Sequence, residues 1–187
     1  MRISKIIVIA ICSLFYWACS SNAESKVGII NQFTGLLPKI IQNDEGLLHG
    51  ISLGMDTVLF KQFIPKCDSM SVLEENKYFF EGALSANKEY SYECEFDSLG
   101  LSGITLDVHL KDMNNADSLF TDFSNYFSRR YGTPVYLDDL NIIWLLQSEK
   151  RASKIILENE VDYDYGKIKI RFLDKDFDLN SDSLIIL

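Results

Sequence analysis

The sequence predicts an α+β domain: an antiparallel β-sheet of about six strands with two main helices packed on one face. Several runs alternate apolar and polar residues, which is typical of strands in a sheet that has one solvated face. Two other segments place apolar residues at helical spacing. Because each helix precedes three strands, the domain could consist of two α-β-β-β halves.

The first helix is predicted to begin after Asp56, whose carboxylate can accept hydrogen bonds from the first turn. Pro65 ends it, because proline cannot continue a helix. Its apolar residues are Val58, Leu59, Phe60, Phe63 and Ile64. The segment 47–51 is short and strand-like, so we expect the folded domain to begin at Leu47, with this segment as an edge strand.

Three strands are predicted next, and the first begins at 78–80. The second has one apolar and one polar face, with Tyr90, Tyr92, Cys94 and Phe96 alternating with Glu89, Ser91, Glu93 and Glu95. After a turn at 98–100, the third repeats the pattern, with Ile104, Leu106, Val108 and Leu110 alternating with Thr105, Asp107, His109 and Lys111. The apolar positions predict the face that carries the helices.

The second helix has the clearest pattern in the chain. Asn114 or Asn115 can cap its start, Arg129 and Arg130 suit its negative end, and Gly132 ends it. Its apolar residues fall at helical spacing: Ala116, Leu119, Phe120, Phe123, Tyr126, Phe127 and Tyr131. Three more strands are predicted at 142–146, 153–158 and 167–173. The first of these is apolar enough to be a central strand.

The beginning of the chain predicts export. Arg2 and Lys5 precede an apolar run from Ile6 to Trp17, and small residues follow it. This arrangement is typical of a secretory signal peptide, and the run is too short to span a bilayer.

Two cleavage sites compete. In the first, Cys19 is the lipidated cysteine of a bacterial lipoprotein, although Tyr16 and Trp17 depart from a strict lipobox. In the second, a signal peptidase cuts after Ala23. We favour the first, because a cysteine between small residues directly after the apolar run is unexpected by chance.

The predicted organisation is a signal peptide at 1–18, a lipid-anchored tether at 19–46, one α+β domain at 47–175 and an acidic and apolar tail at 176–187. Removal of the signal takes away Arg2 and Lys5 and no acid, so 169 residues with a net charge of −11 remain. A chain this acidic repels nucleic acid, which excludes nucleic acid as a direct partner.

The two cysteines that remain after lipidation are Cys67 and Cys94. In an oxidising compartment they could form a disulfide, and they could equally be two separate buried thiols. Two thiols and two distant histidines, His49 and His109, do not predict a metal site.

Two features suggest a site but have simpler explanations. The segment 174–182 alternates oxygen ligands as a calcium loop does, but it has Leu179 where glycine is needed and Ile185 where a bidentate Glu belongs. We therefore favour a solvated acidic tail. His109 lies beside Asp107 and across from the acidic stripe of the preceding strand, where we expect an ordinary cross-strand pair and no acid–base site.

The aromatic residues of 78–80 and 90–96 could form a platform for a sugar or a peptide, but we favour a place in the core. The face opposite the helices would carry Glu89, Glu93, Glu95, Thr105, Lys111, Lys169 and Arg171. Such a face could dock another protein, but a plainly solvated sheet face is the more common explanation of this pattern. The sequence contains no catalytic or phosphate-binding motif, so we predict no catalytic residues, no cofactor and no metal.

Four short motifs resemble those of small lipoproteins of Bacteroidota that have no assigned activity: Gly50-Ile-Ser-Leu-Gly54, Arg130-Tyr-Gly-Thr-Pro134, the Trp144-bearing strand, and Ile155-Ile-Leu157. The resemblance covers roughly residues 47–175 and implies no site residues. At the level of the fold, the predicted domain is similar to the outer-membrane assembly lipoprotein BamE and to β-lactamase-inhibitor-like proteins. Both bind other proteins.

We therefore expect a non-enzymatic cell-envelope lipoprotein, held to a bacterial membrane by acyl chains on Cys19, that binds another envelope protein. Bacteroidota lipoproteins carry dense acidic runs as surface-export signals, whereas only Glu24 follows Cys19 closely, which favours the periplasmic side. The alternative is a small-ligand or glycan-binding accessory lipoprotein.

Overall fold

The structure is a computed structural model, and it describes residues 28–63, 69–74, 76–85, 88–147, 152–161 and 165–174. Eight antiparallel strands form one sheet in the order β1-β2-β3-β4-β8-β7-β6-β5. The strands are β1 Ser69–Glu74, β2 Lys77–Ser85, β3 Lys88–Asp97, β4 Gly100–Leu110, β5 Val135–Tyr136, β6 Asn141–Gln147, β7 Ala152–Val161 and β8 Gly166–Asp174. The helices are α1 Leu37–Ile41, α2 Thr57–Phe63 and α3 Met113–Tyr131, and a 3-10 turn at Ile29–Gln32 precedes them.

The sheet consists of two meanders that meet at its centre. Helix α2 precedes β1 to β4, helix α3 precedes β5 to β8, and β4 pairs antiparallel with β8. The predicted α+β class with an antiparallel sheet is confirmed. The strand count is corrected, because each meander has four strands and the prediction had three. The prediction missed β1, which has mixed composition, and β5, which is two residues long.

Helices α2 and α3 pack on the same face of the sheet. Phe60 of α2 contacts the rings of Tyr78 and Phe96, with centroid distances of 5.4 and 4.9 Å. Phe127 of α3 contacts Trp144 at 5.4 Å and Phe172 at 5.9 Å. The strand residues on this face are buried as the alternation predicts, and they form the core with the apolar stripe of α3.

The segment 28–46 belongs to the folded domain, which corrects the tether predicted for 19–46. Ile30, Leu37, Ile40 and Ile41 are almost fully buried, and the 3-10 turn and α1 both contact α3. The prediction failed because this segment has apolar residues in short clusters without a long period, so its core contacts depend on the helix beneath it. The fold therefore begins by Gly28 and not at Leu47.

Residues 47–51 form a tight turn and not an edge strand of the sheet. Leu48 and Ile51 make an isolated antiparallel bridge, and both side chains are fully buried. His49 and Gly50 between them have φ values of 54° and 82°, in the left-handed region. The predicted edge strand is therefore wrong, because residues with positive φ values cannot continue an extended strand.

Capping residues define both main helices. Asp56 accepts hydrogen bonds from the amides of Val58 and Leu59 at 2.8 and 2.9 Å, as predicted. Helix α3 is capped by Asp112, which accepts from the Asn114 amide at 2.9 Å, so the predicted Asn114 or Asn115 cap is wrong by two or three positions. Asparagine and aspartate both suit this position, and the sequence pattern did not separate them.

Strand β6 is not central, although its apolar sequence predicted a central strand. It is next to the short edge strand β5, which pairs only with Ile142 and Ile143. The remaining predicted elements that bear on function lie outside the described residues: the signal peptide 1–18, Cys19, Cys67 and the tail 176–187.

Candidate functional site

The face of the sheet opposite the helices is called the open face here. Its side chains follow the strand register in rows. One row runs Val135, Ile143, Ile156, Arg171, Thr105, Glu93 and Phe79. A neighbouring row runs Leu145, Lys154, Leu173, Gly103, Glu95 and Lys77. In these rows, apolar side chains dominate from β5 to β7, and most of the charged side chains lie between β8 and β2.

The centre of the open face is an internal network of ion pairs. Lys167 contacts Asp107 at 3.0 Å and Glu160 at 2.8 Å, and Arg171 binds Glu158 through two nitrogens at 3.0 and 3.1 Å. Burial opposes the charge on Lys167, but the hydrogen bonds that Lys167 donates to both carboxylates raise its pKa. These charges are already neutralised within the sheet, so they are poor candidates for capturing a charged partner.

The β2–β3 side of the open face has an excess of carboxylates. Lys77 lies 2.7 Å from Glu95 and 3.4 Å from Glu93, and hydrogen bonding to Glu95 is the main cause that raises the Lys77 pKa. Glu81 and Glu89 on the same strands are exposed. The predicted docking residues Glu89, Glu93, Glu95, Thr105, Lys169 and Arg171 therefore share one face, and exposed Lys111 lies just beyond the end of β4.

His109 has the cross-strand environment that the sequence predicted. It lies directly opposite Glu89 on β3 and Lys167 on β8. Its sequence neighbour Asp107 is engaged by Lys167. The structure therefore assembles the cross-strand pair, and Asp107 is not positioned as a separate base beside the imidazole.

Five of the six aromatic residues that could have formed a binding platform belong to the core, and the sixth, Phe79, lies half-buried on the open face. Tyr78, Phe80, Tyr90, Tyr92 and Phe96 are all at most 8% exposed. Phe80 and Tyr92 stack with a centroid distance of 4.6 Å on the helix face. The alternating spacing of these residues therefore reflects their packing in the core, as the sequence analysis favoured.

The exposed apolar surface lies elsewhere, at the β5–β7 side of the open face. We call it the apolar corner and define it as Val135, Ile143, Leu145, Ile156 and Leu173. Val135 and Leu145 are 51% and 64% exposed, whereas Ile156 and Leu173 are only 2% and 7% exposed. The corner thus combines the buried Ile156 and Leu173 with the exposed Val135 and Leu145. Such a cluster of apolar side chains is unusual for a surface that only faces water.

The loop between β5 and β6 extends this surface. Leu137 and Leu140 are 46% and 44% exposed, and Tyr136 on the other side of β5 is 64% exposed. Asp138 folds the loop by accepting hydrogen bonds from the Leu140 amide and the Asn141 side chain, both at 2.8 Å. These bonds lower the Asp138 pKa, the Asn141 side chain contributing most.

Sequence reasoning missed the apolar corner for a definite reason. Strand β6 was taken as central, where apolar residues on both faces would be covered. A weak signal was present: Pro134 stands directly before β5, and prolines are confined to sheet edges and strand starts.

The other predicted site residues do not converge on this surface. Cys94 lies on the helix face of β3 and is fully buried, and burial raises the pKa of its thiol. Its predicted disulfide partner Cys67 and the predicted lipid site Cys19 lie outside the described residues, so both modifications stay predictions. Asp174, the first residue of the rejected calcium loop, ends β8 and is buried.

Two further features are absent from the described residues, a metal site and a membrane-spanning helix. In those ranges no group of three or more His, Cys, Asp or Glu side chains could hold a metal ion. None of the helices described combines the length and the hydropathy of a membrane span.

Comparisons with known proteins return no relative. No known family matches the chain, no curated protein is significantly similar to it, and no solved structure matches it.

Proposed function

We propose that this chain is a non-enzymatic cell-envelope lipoprotein, anchored through Cys19, whose domain binds another protein through the apolar corner. The exposure of Val135 and Leu145 next to the buried Ile156 is the observation that carries the proposal. Contiguous exposed apolar side chains with a polar rim are the usual mark of a protein-binding surface.

The surroundings of the corner fit a protein partner better than a small ligand. The corner is part of a β-sheet face at an edge, and exposed leucines of the β5–β6 loop continue it. Arg171 and Glu158 form a two-bond ion pair beside Ile156, which supplies the polar rim of such an interface. The glycan-binding alternative is not proposed, because five of the six aromatic residues on which it depended are in the core and Phe79 alone does not form a platform.

The anchor is tested by metabolic labelling with a palmitate analogue. Wild-type chain should be labelled, and Cys19→Ala should not, since acylation needs that thiol. If the wild-type chain takes up no label, the lipoprotein assignment is wrong, and cleavage after Ala23 becomes the explanation of the leader.

Protein binding is tested by site-specific photo-cross-linking in cells. A photoreactive residue at Val135 should give a discrete adduct with another protein, and Leu145→Asp in the same chain should abolish it. The matched control places the photoreactive residue at Ala83, an exposed open-face position on β2. Equal adducts at both positions, or adducts that survive Leu145→Asp, would contradict the assignment of the corner.

A further inference from the structure

We propose that residues 183–187 of this chain, Ser-Leu-Ile-Ile-Leu, fold back and cover the apolar corner. The segment would act as an internal occupant of the corner, which any partner protein would have to displace. The proposal concerns the same surface as the proposed function, but it does not depend on it, because a segment can cover a corner that has no other ligand.

The chain leaves the described structure at the corner itself. Leu173, the penultimate residue of β8, is a member of the corner, and Asp174 pairs with Ser153. Gln147 pairs with Ala152 at this same end of the sheet. Residues 175–187 therefore start beside the surface that they would cover.

The length of the chain after β8 suffices for this return. Leu173, Lys154 and Leu145 are neighbours in one row, so Leu145 lies two strands, or about 10 Å, from the end of β8. The linker 175–182 can span roughly 26 Å when it is extended. It can therefore carry the following residues over the corner with slack for a reversal of direction.

The composition of the segment matches the corner. Four apolar residues, Leu184 to Leu187, follow a linker that contains Asp176, Asp178 and Asp182. Two basic residues border the corner: Arg171 lies directly opposite Ile156, and Lys154 lies opposite Leu173, two residues before Ile156 on β7. Burial, and to a lesser degree the charge of Arg171, lower the Lys154 pKa. Carboxylates of the linker placed near Lys154 would stabilise its charged form.

The exposure of the corner residues indicates how large an occupant the corner needs. Ile156 and Leu173 are already dry, and Leu145 and Val135 are the members of the corner that remain open. A short apolar segment is enough to cover two such side chains, whereas a stable interface with a second folded copy needs about 800 Å² from each partner. The mature net charge of −11 also opposes self-association.

Disulfide trapping tests the proposal in the full chain. Under mild oxidation the pair Leu145→Cys and Ile185→Cys should form an intramolecular link several-fold more than the control pair Ala83→Cys and Ile185→Cys. Ala83 is exposed on the open face, but it lies on β2 near the opposite end of the sheet. Peptide mass spectrometry identifies the linked cysteines and separates them from Cys67 and Cys94.

The outcomes separate the possible occupants of the corner. Equal yields for the two cysteine pairs overturn the proposal. A 145–185 link that joins two molecules, shown by mixing isotope-labelled and unlabelled chains, overturns it in favour of a second copy. If the link is absent while the photo-cross-link from Val135 to another protein persists, this inference fails and the proposed function stands.

Hydrogen exchange supplies a second measurement that needs no new cysteines. Leu184→Ser, Ile185→Ser and Ile186→Ser in one chain should speed exchange several-fold in peptides that cover β6. Peptides from β4, at the centre of the sheet, should be unchanged and report that the fold is intact. The same exchange rate over β6 in both proteins would contradict the proposal.

Discussion

Tyr126 donates its phenolic hydrogen to Asp44 at 3.1 Å, across 82 positions of the sequence. Arg130, one turn further along α3, donates to the Tyr126 oxygen at 2.7 Å and to the carbonyl of Gly46. Asp44 also accepts from the Ile30 amide at 3.1 Å. This half-buried network fastens the N-terminal segment to α3, and it explains why residues 28–46 are part of the domain.

Removal of the Tyr126 hydroxyl should weaken this attachment. In Tyr126→Phe, Asp44 and Arg130 each lose a partner, so the free energy of unfolding should fall by about 1–3 kcal/mol. Chemical denaturation measures the change. Tyr136→Phe is the control, because Tyr136 is 64% exposed and should show almost no effect. Equal effects in the two variants would mean that the network contributes nothing.

Titration of Tyr126 should lower the stability of the protein at alkaline pH. Burial raises the pKa of Tyr126, and burial also raises that of Tyr131. Because both folded values lie above the unfolded value of about 10, their contribution is complete below pH 10 and is lost as the pH rises through the folded values. Between about pH 9 and pH 11.5 the free energy of unfolding should fall with pH in both proteins. The fall should be less steep in Tyr126→Phe than in the wild-type protein. An unchanged slope would contradict the assignment.

His49 should make the protein sensitive to mild acid. His49 is 7% exposed, and its ring stacks on Tyr92 with a centroid distance of 5.8 Å. Within the described residues, no partner meets the distance and angle of a hydrogen bond to either ring nitrogen. Burial lowers its pKa, and the backbone of Ile40 opposes the shift. The unfolded chain therefore takes up the proton first, and stability should decrease as the pH falls below about 6.5.

The substitution His49→Asn tests this acid sensitivity. Asparagine tolerates the left-handed backbone at this position and does not titrate. The variant should lose the part of the pH dependence that lies below about pH 6.5, which is at most about 1.4 kcal/mol per pH unit. His109→Asn, on the half-buried open face, is the matched control. If both variants keep the wild-type slope, His49 is not the group responsible.

Gly166 should not tolerate a side chain. A Cβ atom placed there would lie 2.5 Å from the Cβ of Ala116, where the first turns of α3 cross the start of β8. Gly166→Ala should therefore destabilise the protein by about 1–3 kcal/mol, as overpacking does. Thermal or chemical unfolding measures the loss.

A second substitution tests whether the loss comes from the contact with Ala116 or from any side chain placed at this position of β8. Ala116→Gly in the Gly166→Ala background should recover part of the stability, despite a helix penalty of about 1 kcal/mol. Gly103→Ala is the control, because its nearest new contact, to Leu173, is an ordinary 3.5 Å. A double variant whose loss of stability equals the sum of the two single losses would show that the two positions do not interact.

The Cys94 thiol should be inert in the native protein. It is fully buried and its pKa is raised by burial, so the reactive thiolate is scarce. Maleimide should leave Cys94 unlabelled in native Cys67→Ser and should label it after denaturation. In the wild-type chain, denaturation without reductant separates the two alternatives, since a Cys67–Cys94 bridge would block labelling and free thiols would not. Rapid native labelling would contradict the burial.

Prediction from the sequence succeeded where a pattern is local. The period of α3, the alternation of β3, β4 and β8, and the Asp56 cap follow from spacing and side-chain chemistry within one element. It failed where one element depends on another. The bridge at Leu48–Ile51 needs positive φ values, and the burial of Ile40 needs α3 beneath it.

The candidate site shows the same division. The sequence placed Glu89, Glu93 and Arg171 on the face opposite the helices, because alternation assigns a face to every strand residue. It did not find the apolar corner, because alternation carries no information about which strand stands at the edge. That order depends on how the two meanders join at β4 and β8.

By itself the sequence determined the class of the domain, the two main helices and the faces of the strands, since each depends on periodicity and capping within a short segment. Only the tertiary structure decided the order of the strands, the inclusion of residues 28–46 and the exposure of Leu145. Those features arise from pairings between residues that are far apart in the chain, and the free energy of such contacts depends on the whole arrangement.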